Sequence, residues 1–197
     1  MQKWRVNEIY RAVQGEGQYT GWPCTIVRLQ GCNLCCPFCD TPQALDSDGG
    51  TEHNEISLLS KIKEVHRYGF LLLTGGEPMT QDVTNLILLL KTFGNVHLET
   101  NGTLPVQVGF DWVTVSPKGK HTLAGAIDRA NEVKWLVHSQ SDVIGLTDFL
   151  AEWPTFDGVV SVQPVSLDKQ ATEIAYHAAI DYGWHLSLQA HRLIGVQ

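Results

Sequence analysis

The chain alternates between short apolar runs and segments whose apolar residues recur at helical spacing. The apolar runs are rich in Val, Ile and Leu and mostly lack polar alternation, which is typical of parallel strands covered on both faces. They predict strands at residues 25–29, 70–73, 96–99, 112–116, 133–137, 159–162 and 185–188. Apolar residues at a period of three to four predict three helices, at 56–65, at 83–90 and after Asp168.

Alternating strand and helix signals of this kind indicate an α/β fold with a parallel sheet. The sequence shows no internal repeat, low-complexity tract or linker. We therefore expect residues 1–197 to form one domain, which a chain of this length can fill.

Composition and charge narrow the classes of function. With 43% hydrophobic and 18% charged residues, the chain is typical of globular proteins. Its 14 basic and 21 acidic residues give a net charge of -7 without a basic stripe, which argues against nucleic-acid binding. The absence of an 18-residue apolar run argues against a membrane span. Five cysteines without a visible export signal favour a reducing compartment, so we expect a cytoplasmic protein.

Polar motifs stand where four of the predicted strands end. They occupy residues 74–78, 99–102, 116–118 and 163–164. Parallel sheets and barrels build their active sites at the carboxyl ends of their strands. The pattern predicts that these motifs share one site.

Four cysteines, Cys32, Cys35, Cys36 and Cys39, lie within eight residues. Thiols at this density suit iron–sulfur or zinc ligation. A structural zinc site needs four ligands, and no second cysteine or histidine pair follows. We therefore favour an iron–sulfur cluster with one iron left open, held in the spacing Cys32-x3-Cys36-x2-Cys39, although a register through Cys35 remains conceivable. Cys24 lies in a predicted strand and is expected to be a core residue.

The cysteine triad together with Gly75-Gly76-Glu77-Pro78 resembles the radical S-adenosylmethionine (SAM) superfamily. In that superfamily three cysteines hold a 4Fe–4S cluster, and the amino and carboxylate groups of SAM bind the fourth iron. The resemblance implies SAM contacts at Gly76, Glu77, Glu99, Ser116, Pro117, Lys118, Gln163 and Pro164.

A closer resemblance, to the 7-carboxy-7-deazaguanine synthases, covers nearly the whole chain. It is carried by an ordered set of motifs at residues 13–17, 27–34, 38–41, 74–78, 99–102, 115–118, 162–164 and 189–192. It implies conversion of 6-carboxy-5,6,7,8-tetrahydropterin to 7-carboxy-7-deazaguanine with loss of ammonia, a lyase reaction on the route to queuosine. A full (β/α)8 barrel needs about 250 residues. The expected fold is therefore a partial, modified TIM-type barrel with about six core parallel strands.

The same resemblance implies a substrate site. The planar guanidinium of Arg28 can bind the substrate carboxylate, and Gln14 and Glu16 can pair with the pterin edge. In the family, Mg²⁺ is held by the threonine that follows Cys-Asp, which is Thr41 here. The implied substrate contacts are Val13, Gln14, Gly15, Glu16, Arg28, Thr74 and the C-terminal Gln197.

The family also implies a flavodoxin or ferredoxin-type electron donor and a homodimer. Two alternatives remain open. A radical SAM activase of a glycyl-radical enzyme would show the same cysteine spacing, but the loop at 14–17 and Arg28 suit a small anionic substrate better. A non-catalytic iron–sulfur or zinc protein would give no reason for Gly75-Gly76-Glu77-Pro78.

Overall fold

The computed structural model describes residues 2–119 and 122–196. Its strands are β1 (Lys3–Val13), β2 (Pro23–Leu29), β3 (Thr51–Asn54), β4 (Phe70–Gly75), β5 (Val96–Thr100), β6 (Trp112–Val115), β7 (Glu132–Val137), β8 (Val159–Pro164) and β9 (His185–Leu186). Its α-helices are α1 (Glu55–Val65), α2 (Thr84–Leu90), α3 (Ala124–Ile127), α4 (Gln140–Glu152), α5 (Lys169–Tyr182) and α6 (Ala190–Leu193). Short 3-10 helices lie at Pro42–Ala44, Pro78–Thr80 and Val165–Leu167.

The described strands form a single sheet in the order β3-β1-β2-β4-β5-β6-β7-β8-β9. Strands β2 and β4 to β9 run parallel, whereas β1 and β3 are antiparallel to their neighbours. The sheet does not close, because β3 and β9 lie at its two edges. The α/β prediction and the partial barrel are confirmed, with seven parallel strands where about six were expected.

Every predicted strand is present, with small differences at the ends. The predicted helices correspond to α1, α2 and α5, and the Asp168 side chain caps α5 by accepting a bond from the backbone N–H of Ala171 at 2.8 Å. Strands β1 and β3 and helices α3, α4 and α6 were not predicted from the sequence.

The two faces of the parallel strands have different surroundings: one packs against the helices and the other lines a cavity. Leu71 and Leu73 of β4 point to the helix side and are fully buried in the main core. Leu72 and Thr74, which alternate with them along the strand, point into the barrel and line a cavity. This alternation follows from the two-residue period of a strand, and it places every second side chain in the barrel interior.

Aromatic side chains close the interior at the amino ends of the strands. Phe70 stacks on His97 with ring centroids 4.0 Å apart, and Tyr19 lies edge-on to His97 and Trp112 at 4.5 and 5.0 Å. Burial lowers the pKa of His97 to about 4. The open end of the barrel is therefore the carboxyl end of the strands, where the polar motifs lie.

None of the helices in the described part of the chain has the length and apolar character needed to cross a bilayer.

Candidate active site

A cavity of about 480 Å³ opens at the carboxyl ends of the parallel strands. This volume lies within the usual range for small-molecule sites. Most of the predicted site residues line it: Gln14, Gly15, Glu16, Arg28, Cys32, Cys36, Cys39, Thr41, Thr74, Gly76, Glu99, Ser116, Lys118, Gln163 and Pro164. Val13, Glu77 and Pro117, though all described, do not line it, and Gln197 lies outside the described residues. The structure thus brings these residues together at the carboxyl ends of the strands, where the motif pattern predicts a shared site.

The two glycines of the 75–78 motif allow β4 to contact the start of the cysteine loop. A Cβ on Gly76 would lie 2.3 Å from the carbonyl oxygen of Gly31 and 2.6 Å from that of Ala44. Gly75 has a φ of 157° and leaves no room for a side chain beside Leu29. The backbone N–H of Glu77, which follows Gly76, donates to the Gly31 carbonyl at 2.8 Å. Only glycine fits this approach, which fixes the loop against the strand.

Glu77 lies behind the cavity wall with its side chain fully buried. Its carboxylate accepts bonds from the backbone N–H of Met79 at 3.0 Å and of Asn101 at 2.7 Å, and from the hydroxyl of Thr100 at 2.8 Å. Burial raises the pKa of Glu77, and the three donors oppose that rise. The carboxylate therefore joins the end of β4 to the end of β5.

The cysteine loop places its thiols differently. Cys32, Cys36 and Cys39 line the cavity, whereas Cys35 is exposed. The backbone N–H of Leu34 donates to the sulfur of Cys32 at 3.4 Å. Burial raises the pKa of Cys32 and of Cys36, a rise that the Leu34 N–H opposes at Cys32 and the Lys118 ammonium opposes at Cys36.

Asparagine side chains anchor this loop to the end of β5. Asn101 donates to the side-chain oxygen of Asn33 at 3.1 Å, and Asn33 donates to the hydroxyl of Thr103 at 2.8 Å. Asn101 in turn accepts from the Thr103 hydroxyl at 2.7 Å. The Thr100-Asn101-Gly102 motif therefore positions the cysteine loop.

A buried lysine lies at the centre of the cavity wall. The ammonium of Lys134, in β7, is 2.5 Å from Oε2 of Glu16 and 3.1 Å from Oε1 of Glu99. Its side chain is only 5% exposed. Burial would raise the pKa of Glu16, but the charge and hydrogen bond of Lys134, together with hydrogen bonds from Gln189 and Gln163, lower that pKa to about 2. Burial alone would lower the pKa of Lys134, yet the two carboxylates raise it.

The C-terminal segment closes the cavity beside Glu16. The side-chain nitrogen of Gln189 donates to Oε1 of Glu16 at 2.8 Å and to Oδ2 of Asp40 at 3.1 Å. The backbone N–H of Ala190 donates to the Gly15 carbonyl at 2.8 Å. One segment thereby connects the loop at 14–17 to the cysteine loop.

Arg28 projects from β2 into the opposite wall. Its Nε donates to Glu8 at 2.7 Å, and its Nη2 donates to the hydroxyl of Tyr10 at 3.3 Å. Burial would lower the pKa of Arg28, but bonds to Glu8 and Tyr10 raise it, so the guanidinium stays charged. Across the cavity, Gln14 donates to Oε1 of Glu99 at 3.2 Å.

A second, half-buried lysine follows β6. Lys118 donates to the Ser116 hydroxyl at 2.6 Å. Burial, with a further contribution from the neighbouring Lys134 ammonium, lowers the pKa of Lys118 to about 8. On β8, Gln163 accepts a bond from the Ser187 hydroxyl at 2.7 Å.

Comparison with known proteins identifies the family. The model of the Radical SAM superfamily matches residues 26–123. The chain is 34% identical to the 7-carboxy-7-deazaguanine synthase of Escherichia coli K12, over 97% of this chain and 98% of that protein. It is 37% identical to the synthase of Bacteroides thetaiotaomicron, over 98% of both. The crystal structure of QueE from Escherichia coli superposes with a TM-score of 0.87, at 32% identity, over 96% of this chain and 95% of that one.

The chain belongs to the 7-carboxy-7-deazaguanine synthase family. Membership of the radical SAM superfamily implies a 4Fe–4S cluster and SAM. Over residues 2–119 and 122–196, no three or more His, Cys, Asp or Glu side chains are grouped closely enough to hold a metal ion. The donor set nevertheless fits the cluster, because three thiols on one loop face the same cavity.

The structure connects predicted site residues to cavity residues that the sequence did not single out, such as Glu8 and Tyr10 beside Arg28. Lys134 and Gln189 both bond to Glu16, and Asp40 accepts from Gln189. A signal for Lys134 was present, because a lysine in an apolar strand needs a buried partner. Gln189 and Asp40 stood inside quoted motifs, but only the fold shows their contacts.

Proposed function

We propose that this chain is a radical SAM carbon–nitrogen lyase that converts 6-carboxy-5,6,7,8-tetrahydropterin to 7-carboxy-7-deazaguanine and releases ammonia. One observation carries the proposal: a chain that aligns end to end with the synthases gathers three cysteine thiols, Arg28 and Glu16 around one cavity. This combination suits a cluster-bound cofactor beside a small anionic substrate.

The substrate binds between the loop that follows β1 and the side chain of Arg28. Arg28 binds the carboxylate, because a guanidinium retains its charge and its fork matches two oxygens. Gln14 and Glu16 supply an amide and a carboxylate for the polar edge of the pterin. Gly15 and Val13 contribute backbone groups, and Thr74 adds a hydroxyl from the end of β4. The C-terminal Gln197 is assigned to the same site from the resemblance alone.

The cluster is held by Cys32, Cys36 and Cys39. The position of Cys35 supports this register, because its side chain is exposed and does not line the cavity as the other three thiols do. Cys24 is 2% exposed in the core, and burial raises the pKa of its thiol to about 12. When bound, the reduced cluster and SAM supply a radical that abstracts hydrogen from the substrate.

The SAM side of the cavity is formed by the ends of β4, β5, β6 and β8. Gly76 presents its backbone to the methionine amino group. Glu77 does not line the cavity and instead stabilises the backbone beside Gly76 through its buried hydrogen bonds. Glu99 accepts bonds from the ribose hydroxyls. The remaining assigned contacts are Ser116, Pro117, Lys118, Gln163 and Pro164.

Mg²⁺ binds at Thr41 together with substrate oxygens and water. Thr41 lines the cavity and occupies the N-cap position of the 3-10 helix at Pro42–Ala44, without a side-chain capping bond. Its hydroxyl instead donates to Asp40 at 3.1 Å. Mg²⁺ commonly takes few protein ligands and keeps several waters, so one hydroxyl beside a carboxylate is adequate.

The setting of the reaction also follows from the resemblance. A flavodoxin or ferredoxin-type protein delivers the electron in the cytoplasm, and the enzyme acts as a homodimer. The exposed Cys35 and the partly exposed Phe38 place the cysteine loop at the protein surface, where a donor can approach.

An anaerobic turnover assay tests the function. The enzyme with its reconstituted, reduced cluster is mixed with SAM, Mg²⁺ and 6-carboxy-5,6,7,8-tetrahydropterin, and products are identified by mass spectrometry. We expect 7-carboxy-7-deazaguanine. Release of 5′-deoxyadenosine without this product would retain the radical chemistry but reject the substrate, and the absence of both compounds would reject the proposal.

A further inference from the structure

The Lys134 ammonium is the one described cation that contacts carboxylates from both sides of the cavity. Glu16 belongs to the loop between β1 and β2, and Glu99 belongs to β5. The side chains of Lys134, Glu16 and Glu99 are only 5%, 15% and 24% exposed. Buried ion pairs are poorly screened by salt, and removal of one partner leaves an uncompensated charge. The orientations of the two carboxylates therefore depend on Lys134.

Glu16 lies in a loop and not in a strand or helix. The loop that carries it is held to the barrel by side-chain contacts, among them Ser187, which accepts from the Gly17 N–H at 2.7 Å, and Glu132, which accepts from the Gln18 N–H at 3.2 Å. The carboxylate itself is fixed at one oxygen by Lys134 and at the other by Gln189. Each carboxylate oxygen has two lone pairs, so both can still accept from a ligand.

We propose that Lys134 is a positioning residue that orients Glu16 for the substrate and links it to Glu99 on the SAM side of the cavity. This inference rests on the proposed assignment of Glu16 to the substrate and of Glu99 to SAM. Lys134, Glu16 and Glu99 together carry one excess negative charge, because two carboxylates surround one ammonium. This excess charge suits the N–H donors of a pterin edge. Lys134 keeps Glu16 ionised, and an ionised carboxylate is an acceptor only.

The electrostatic surroundings of Glu16 make the proposal testable by pH. Titratable groups around it come from five other elements of the barrel. They are Lys134 and Glu132 of β7, Glu99 of β5, Lys118 after β6, Asp40 of the cysteine loop and His191 of α6. Among them, Lys134 makes the largest contribution that holds the pKa of Glu16 down to about 2. Without it, burial raises that pKa, so Glu16 takes up a proton as the pH falls.

The experiment measures equilibrium binding of 6-carboxy-5,6,7,8-tetrahydropterin to the cluster-loaded, oxidised enzyme, with SAM present and without turnover. The variants are Lys134→Met, Lys134→Arg and, as a matched control, Lys118→Met, which removes the other lysine that lines the cavity. Circular dichroism establishes that each variant is folded. If Lys134→Met does not fold, Lys134→Gln, which keeps a donor but no charge, replaces it with the same expectations.

We expect Lys134→Met to weaken substrate binding at least about tenfold at neutral pH, which corresponds to about 1.4 kcal/mol. The ratio of its dissociation constant to that of wild type should grow as the pH is lowered from neutral, since wild-type Glu16, with a pKa of about 2, stays ionised there. Taking the ratio cancels the titration of the substrate itself. Lys134→Arg should restore most of the affinity, and Lys118→Met should weaken SAM binding without this pH-dependent ratio.

Two results would overturn the inference. One is a folded Lys134→Met that binds the substrate within about twofold of wild type at every pH. The other is a loss of affinity that is independent of pH and not restored by Lys134→Arg, which would mean that Lys134 only stabilises the packing. Arg28→Ala in the same assay separates these from failure of the proposed function: if it also leaves binding unchanged, the substrate site itself is wrongly assigned.

Discussion

Glu77→Gln should destabilise the protein even without cluster or SAM, because the carboxylate is a structural connection between β4 and β5. The side chain is fully buried and accepts three hydrogen bonds, from Met79, Thr100 and Asn101. A glutamine keeps one oxygen, which can still accept from Met79 and Thr100. Its amide nitrogen would then face the Asn101 N–H, which now donates to Oε2 at 2.7 Å, so a donor would oppose a donor.

The expected cost follows from that geometry. Loss of one hydrogen bond to a charged group is worth about 1.5–3 kcal/mol, and the two bonds that remain become weaker when the charge is removed. Relief from burying a charge offsets part of this, so we expect the free energy of unfolding to fall by about 2–4 kcal/mol. For a chain of this size, such a change lowers the melting temperature by roughly 5–15 °C.

The assay is urea unfolding of the reduced apoprotein, followed by tryptophan fluorescence and circular dichroism. The matched control is Glu64→Gln, which makes the same chemical change on α1, where the side chain is 60% exposed and pairs with Lys61 at 3.1 Å. Exposed pairs of this kind contribute little, so the control should stay within about 0.5 kcal/mol of wild type. A Glu77→Gln variant as stable as this control would refute the reasoning, since it would show that the carboxylate does not hold the two strand ends together.

Three further predictions, made with four substitutions, test the assigned site. Cys36→Ala should prevent assembly of the cluster, whereas Cys35→Ala should leave iron and sulfide content close to wild type; equal losses would mean that the register is wrong. Arg28→Ala should weaken binding of the pterin at least about tenfold while SAM binding changes little, because only the substrate carboxylate needs the guanidinium; an unchanged substrate affinity would contradict this. Thr41→Ala should blunt the rise of activity with Mg²⁺, and turnover that is independent of Mg²⁺ in wild type would count against the metal site.

The parallel strands were predictable because both of their faces are buried, which leaves continuous apolar runs such as the one at 70–73. Strand β1 was missed because Lys3–Val13 mixes polar and apolar residues, as expected for an antiparallel strand near the sheet edge. Strand β3 is only four residues long and carries the polar sequence of Thr51–Asn54. Helix α4 was missed although Val143, Leu146 and Leu150 recur at helical spacing and pack in or against the main core.

The site was predictable where a motif ends a strand, because the parallel topology brings all such ends together. Sequence alone could not give the partners of Glu16, since Lys134 is 118 residues away and Gln189 is 173 residues away along the chain. Nor could it show that Glu77 lies behind the cavity wall. Both findings depend on which face of a strand or turn a side chain occupies, and that is decided by packing.

The most direct test of the account is the ratio of product to SAM in an anaerobic reaction. In the proposed reaction, hydrogen returns to the adenosyl group, as the resemblance to the family implies, and SAM is regenerated. With limiting SAM, the reconstituted and reduced enzyme should form many molecules of 7-carboxy-7-deazaguanine for each SAM consumed. Consumption of SAM without formation of 7-carboxy-7-deazaguanine would contradict the proposed function.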